Sequence, residues 1–168
     1  MILVISGTHE QPFNRLLNYM NDWACGNTEQ VVMQTGFTGG VYPHCLCQRF
    51  YEQEYLNELI RKARIVITHG GSSSVMSILQ AGKTPVVVPR QHKYGEHVND
   101  HQVNFCMKYT NDTNSTIAVL DINTLGGVIA HYDEICAKKA RPEESNNKAF
   151  CERFTSMAEA LLASAEKS

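Results

Sequence analysis

The stretch from Ile65 to Gln102 reads IVITHGGSSSVMSILQAGKTPVVVPRQHKYGEHVNDHQ. It opens on Ile65-Val66-Ile67, a β-branched run with no polar member, which predicts a strand buried on both faces. His69-Gly70-Gly71-Ser72-Ser73-Ser74 then supplies a turn of small residues. Beyond it Val75, Ile78 and Leu79 recur at helical spacing, and Gly82 marks the stop. Pro85 to Pro89 predicts a second buried strand. The stretch is therefore one strand–helix–strand unit.

Such a unit suits an anion. Glycines let the backbone approach a ligand, and the seryl hydroxyls add donors. The unpaired N–H groups of the first helical turn, with the helix dipole behind them, favour phosphate. A tight turn with a Ser N-cap is the plainer reading of the same residues. The polar run from Pro89 to Gln102 follows the second strand directly, and in an open α/β sheet ligands bind outside the carboxyl ends of the strands. Two successive strands thus send hydrogen-bonding loops to one edge. Arg90 and Lys93 fit either ligand contacts or solvated charges. His97 and His101, four apart, are predicted to share a helix face, a spacing that also suits a metal. Glu96 is the run's best-placed carboxylate, with a surface structural role as the alternative.

Outward from this unit the chain alternates strands and helices, which predicts an α/β fold with a mainly parallel sheet. Met1 to Ser6 reads as a central strand, and Pro12 suits the first turn of a helix carrying Phe13, Leu16, Leu17 and Met20 on one face. Gln30 to Gln34 is a second strand, and its glycine-rich exit loop, Thr35 to Gly40, reads as flexible or as ligand-facing. A short strand is predicted within Cys45 to Phe50. A helix from Glu52 to Ala63 is predicted to turn Tyr55, Leu56, Leu59, Ile60 and Ala63 inward. Further on come a helix over Val98 to Lys108 burying Val98, Phe105 and Cys106, a loop over Thr110 to Thr116, a strand over Ile117 to Leu120, and a helix over Leu125 to Ala137. Residues 1–140 form the predicted nucleotide-binding domain. After a break at Arg141 to Asn147, residues 143–167 form a helical extension, with Phe150, Phe154, Met157, Leu161 and Leu162 at helix-compatible spacing.

At 168 residues, one domain is expected. A net charge of −2 gives no footing for nucleic-acid binding. No basic segment with a long apolar run opens the sequence, so no signal peptide is expected. No apolar run reaches the ~20 residues of a membrane span. A soluble, cytoplasmic chain with its six cysteines reduced is the expectation. Cys45-Leu46-Cys47 beside His44 has the look of a metal corner, but no second Cys/His pair at zinc spacing follows.

Several motifs together resemble the donor-binding domain of GT-B glycosyltransferases, specifically the family-28 C-terminal domain: His69-Gly70-Gly71-Ser72, Ala81-Gly82-Lys83 with Pro85, Val88-Pro89-Arg90, Lys93-Tyr94-Gly95-Glu96-His97 and Asp100-His101-Gln102. With the opening Val4 to Leu16, they are most similar to the small stand-alone members, Alg13-like proteins and bacterial exopolysaccharide subunits. The resemblance implies one Rossmann-like half of a GT-B fold. It implies a UDP-sugar as substrate, no cofactor and no catalytic metal. It also implies a lipid-linked glycan acceptor held by a separate, membrane-anchored, Alg14-like subunit, which would recruit this chain to the cytoplasmic membrane face.

By the same resemblance the Gly70-Gly71-Ser72-Ser73-Ser74 turn faces the pyrophosphate, and the Pro89–Arg90 loop borders the base. Asp100, His101 and Gln102 hold the donor sugar, and Gly7 and Thr8 line the cleft. The candidate set also includes His69, Ser77, Glu96 and His97. Ser77 stands where related enzymes commonly carry a glutamate for the ribose hydroxyls, so a carboxylate's bidentate acceptance is missing. The general base is expected from the other half of the enzyme. His9, just past Gly7-Thr8, is the in-chain candidate, with a plain loop histidine as the alternative.

Two other readings are open. One is a non-catalytic module that supports a partner glycosyltransferase, for which Ser77 is the main argument. The other is a sugar-nucleotide epimerase, which needs both halves in one chain. A nicotinamide dehydrogenase is disfavoured because Gly7 stands alone, without a Gly-x-Gly-x-x-Gly after the first strand.

Overall fold

The computed structural model describes residues 1–140, so the 143–167 extension lies outside the described residues. Six strands form one parallel sheet: β1 (Ile2–Ile5), β2 (Val31–Gln34), β3 (Leu46–Gln48), β4 (Ile65–Thr68), β5 (Val86–Val87) and β6 (Ile117–Ala118). Their order is β3-β2-β1-β4-β5-β6, with Ile2 level with both Val31 and Ile65. Every residue of β1, β2 and β4 is buried, as expected for strands covered on both faces. β3, at the sheet edge, is exposed along its length. Pro85 and Pro89 bracket β5 and lack the N–H a ladder needs, which shortens that strand to two residues.

Alternation along the strands divides the core. Ile2, Val4, Ile65, Ile67, Val86 and Val88 pack beneath α1 (Asn14–Cys25), α5 (Leu125–Ala130) and α6 (Tyr132–Cys136). Leu3, Ile5 and Val66 pack on the other face beneath α2 (Gln53–Lys62) and α3 (Ser72–Gln80). Val87 lies between α3 and α4 (His101–Thr113). The fold is thus α/β and doubly wound, with β1 in the middle.

Several expectations are corrected. Tyr55 is 50% exposed and Val98 66% exposed, so neither belongs to the core. The helix predicted from Val98 begins instead at His101, because Asp100 turns its carboxylate to the His92 N–H (2.8 Å) and Asn99 takes the His101 N–H (3.1 Å), which fixes a bent segment. That helix also runs on through the predicted loop to Thr113. Thr113 Oγ1 bonds back to the Tyr109 carbonyl, and Asn114, at φ 49°, closes the end in the left-handed conformation a glycine usually provides. The helix predicted from Leu125 to Ala137 breaks at His131, where buried Tyr132 donates its hydroxyl to the Thr84 carbonyl.

The Thr35–Gly40 loop is pinned at two points, while Phe37, Gly39 and Gly40 are exposed. Thr38 Oγ1 accepts the Phe13 N–H (2.9 Å) and so caps α1 from outside, a role Phe13 itself cannot fill. Gly36, at φ 60°, rests on the Gly7 backbone, where a Cβ would come 2.5 Å from the Gly7 carbonyl oxygen.

Ile67, fully buried at the sheet centre, is expected to cost about 2–5 kcal/mol when cut to alanine, read by urea denaturation. Glu29 accepts two bonds from Arg64 (2.6 and 3.0 Å), and the guanidinium holds its carboxyl below the ordinary value. A depressed folded-state value gives stability that is present above the unfolded carboxylate range and lost as pH falls. The stability gap between wild type and Glu29→Gln is therefore expected at pH 7 and should close as pH drops through about 4.

Candidate functional site

β1 and β4 are neighbours, but the chain leaves β1 for α1 on one face and β4 for α3 on the other. The two connections diverge and open a crevice at the carboxyl edge, the usual ligand position in doubly wound sheets. One imidazole wedges that crevice. His69, its backbone N–H on the Ile5 carbonyl, lays its ring between Gly7 and Gly71. A Cβ on Gly7 would sit 2.5 Å from His69 Nε2, and one on Gly71 would collide with the same atom. Burial, then the Arg90 charge, lowers the His69 pKa to about 4, so the ring is neutral at ordinary pH.

α3 starts at the crevice with Gly71 as its N-cap, and no side chain closes that end. Ser72 and Ser73 are exposed and Ser74 half-buried around the orphan N–H groups of the first turn. Nine residues of aligned peptide dipoles stand behind them, which makes this end attractive to an anion. Gly70 packs so closely on Gln102 that a Cβ would meet its side chain at 2.8 Å. Ser73, Ser74 and Ser77 continue into a groove of about 110 Å³ between α3 and α2, shared with Gln53, Leu56 and Ile60. The Ser77 hydroxyl donates to the Ser73 carbonyl (3.0 Å) and turns toward its own helix.

The β5 loop differs from its sequence reading. Arg90 is neither solvated nor turned to the crevice: it is 1% exposed, with its guanidinium on the carbonyls of Ser6 (2.9 Å), Gln11 (2.6 Å), Pro12 (3.4 Å) and Glu96 (3.1 Å), over the Phe13 ring. Burial lowers its pKa to about 10, which leaves it cationic at neutral pH. Glu96 is buried rather than on the surface. It holds Arg15 through two bonds (2.8 and 2.9 Å) and accepts the Gln91 N–H. Arg15 also donates to the carbonyl of buried Pro89. Gln102 accepts the N–H groups of Gly70 (3.0 Å) and Arg90 (3.2 Å) on one oxygen, stapling the β4 loop to the β5 loop. These side chains build the crevice wall. Thr8, Lys93, Asp100, His101 and the start of α3 are among the groups left exposed.

Three histidine rings run along the rim, His9 to His97 at 4.3 Å and His97 to His101 at 4.4 Å between centroids. His97 precedes α4, so it does not share a helix face with His101. Among the described residues no three His, Cys, Asp or Glu side chains converge on a point that would hold a metal ion.

Two residues that matter here escaped the sequence reading. Arg15 sits 81 positions from Glu96, and no local pattern announces that pair. Asn99, two residues before His101, was legible as a side chain able to bond nearby backbone. Removing one partner of a buried ion pair strands the other charge, so Glu96→Ala is expected to cost about 3–5 kcal/mol in chemical denaturation.

Among solved structures, the chain is similar to the glycotransferase of kitacinnamycin, with TM-score 0.58 and 17% identity over 96% of this chain and 39% of that one. It is also similar to CalG4, the calicheamicin glycosyltransferase, with TM-score 0.54 and 13% identity over 91% of this chain and 43% of that one. At such identities the likeness carries the fold: a six-stranded parallel sheet matching a Rossmann-like half of a GT-B glycosyltransferase. The chain spans about two-fifths of the length of each of these structures. No curated protein matches it. The model of the glycosyltransferase family 28 C-terminal domain matches residues 1–161, and the chain belongs to that family.

Proposed function

We propose that this chain is the donor-binding, catalytic subunit of a split glycosyltransferase. It takes a hexose, galactose or N-acetylglucosamine, from a UDP-sugar and passes it to a lipid-linked glycan in exopolysaccharide synthesis. One observation carries the reading. The uncapped N-terminus of α3 opens beside Gly70-Gly71 at the point where the sheet's connections diverge, in a chain of the family-28 domain. Backbone N–H groups there receive the pyrophosphate, and the helix dipole offsets the charge that grows on it as it leaves. The Ser73–Ser77 groove takes the nucleoside side. His101 and Asp100, outward on the next loop, take the sugar.

A separate acceptor half is part of the proposal, on the resemblance of the sequence to the small stand-alone members of the family. In this reading an Alg14-like, membrane-anchored subunit supplies that half and brings the chain to the membrane. No helix among the described residues is long and apolar enough to cross one. Neither a metal nor a cofactor belongs to the scheme.

Ser77 favours a second reading, a non-catalytic module that supports a partner. Its hydroxyl is spent on Ser73, so the groove has no carboxylate for a ribose at that position. Calorimetric titration with UDP, UDP-galactose, UDP-N-acetylglucosamine and GDP-mannose separates the two. The donor reading expects one UDP-sugar to bind selectively. Gly71→Ala, which drives the His69 ring into the crevice, should weaken it at least about tenfold, or ~1.4 kcal/mol. Failure of all four to bind, alone and with the partner present, overturns the donor reading and leaves the accessory module.

A further inference from the structure

The groove of about 110 Å³ at the start of α3 does not end at Ser77. A second hollow of about 470 Å³ continues from it between α2 and α3, and the two share Gln53, Ile60 and Ser77. One groove therefore leads from the α3 N-terminus along the seam of the two helices. The floor of its narrow part is apolar, with Ile5 and Ile60 buried and Leu56 half-buried.

Position along α3 decides what part of a nucleotide each stretch can hold. An anion on the first-turn N–H groups sits level with Ser72 to Ser74. Ser77 lies one turn deeper, about 5–6 Å along the axis at ~1.5 Å per residue, which is the reach from a nucleoside phosphate to the ribose hydroxyls. A ribose diol brings O–H donors into the groove, and each needs an acceptor once water is displaced. α3 offers little at that level. The Ser77 hydroxyl donates to the Ser73 carbonyl (3.0 Å), and its side chain carries no carbonyl oxygen.

The acceptor stands on the facing wall. Gln53 is the first residue of α2, and among the side chains that line the narrow part it is the one with a carbonyl oxygen. Its Nε2 donates to Asn57 Oδ1 (3.1 Å), four residues on along the same helix face. That bond occupies the amide nitrogen and leaves Oε1 as the acceptor turned away from Asn57. The neutral amide also suits the place. Glu52 and Glu54 flank it, both exposed, and a third carboxylate would add repulsion toward an anionic ligand.

We propose that Gln53 reads the ribose of the donor nucleotide, its Oε1 accepting a bond from the 2′- or 3′-hydroxyl, with Asn57 as the positioning residue that holds the amide. The proposal rests on the donor-binding reading above. It puts on α2 the ribose contact that the resemblance assigns to position 77, so a serine there and a working ribose site are compatible.

The test is calorimetric titration of the full chain with UDP and with 2′,3′-dideoxy-UDP, which keeps the base and the diphosphate. The wild type is expected to bind UDP about 3- to 10-fold more tightly, the worth of a neutral hydrogen bond. Gln53→Ala should bind the two alike, with its affinity for the dideoxy compound close to the wild-type value. Gln53→Glu should keep a preference for UDP, because a carboxylate accepts the same bond. Adding Ser77→Glu to Gln53→Ala should restore one from the α3 wall. Asn57→Ala should reduce the preference and Asn57→Asp should recover it. An unchanged preference in Gln53→Ala overturns the proposal, and so does a wild type that binds the two nucleotides equally. A wild type that binds neither, alone and with the partner present, overturns the donor reading beneath it, which separates the two failures.

Discussion

The site depends on a buried positive charge. Arg90 has almost no contact with water, and an uncompensated charge in that position would cost several kcal/mol. The carbonyls of Ser6, Gln11, Pro12 and Glu96 compensate it, and three of them belong to the segment that runs from β1 into α1. The guanidinium can be satisfied only if that segment and the β5 loop come together. Its rigid fork makes their spacing specific in a way a lysine's single ammonium would not. Arg15 and Glu96 repeat the device one layer out, and Gln102 repeats it with neutral bonds toward the β4 loop. Three loops that would otherwise be independent thus become one wall.

That wall explains the division of labour at the carboxyl edge. The charged and amide groups closest to the sheet are consumed in holding loops, so recognition passes to backbone N–H groups and to side chains farther out. A phosphate can be received by the start of α3 without displacing any internal partner, because no side chain caps it. The three rim histidines differ for the same reason. His97 is enclosed by the wall, whereas His101 stands beyond it, with its Nδ1 2.7 Å from the side-chain oxygen of Asn99, two residues back.

Much of this was legible from residue order. The apolar runs Ile2–Ile5 and Ile65–Ile67 could only be central strands, and the glycine-serine turn after the second could only open a helix at the sheet's edge. The family resemblance followed from the same residues. Illegible were the contacts that bridge distant positions. A polar run such as Arg90 to Gln102 looks solvated whether its charges face water or carbonyls far away in sequence, and a local pattern carries no information on which. Helix ends went astray for a related reason. Asn114 takes the conformation expected of glycine, and Thr113 satisfies a helical carbonyl through its side chain, so the polar segment read as a loop continues α4. Val98 looked like core by type, but the bend pinned by Asp100 turns it outward.

The His69 ring also makes three positions interdependent across the chain. Gly71 has an ordinary backbone, φ −76°, so only the imidazole denies it a side chain. Gly7, at φ +84°, is denied one twice over, by the ring and by its own dihedral. Trimming residue 69 therefore frees the first glycine and not the second. Drift at position 71 becomes permissible once the ring is lost, whereas position 7 stays fixed whatever its neighbour does. The two glycines face the same atom, yet they answer to different constraints.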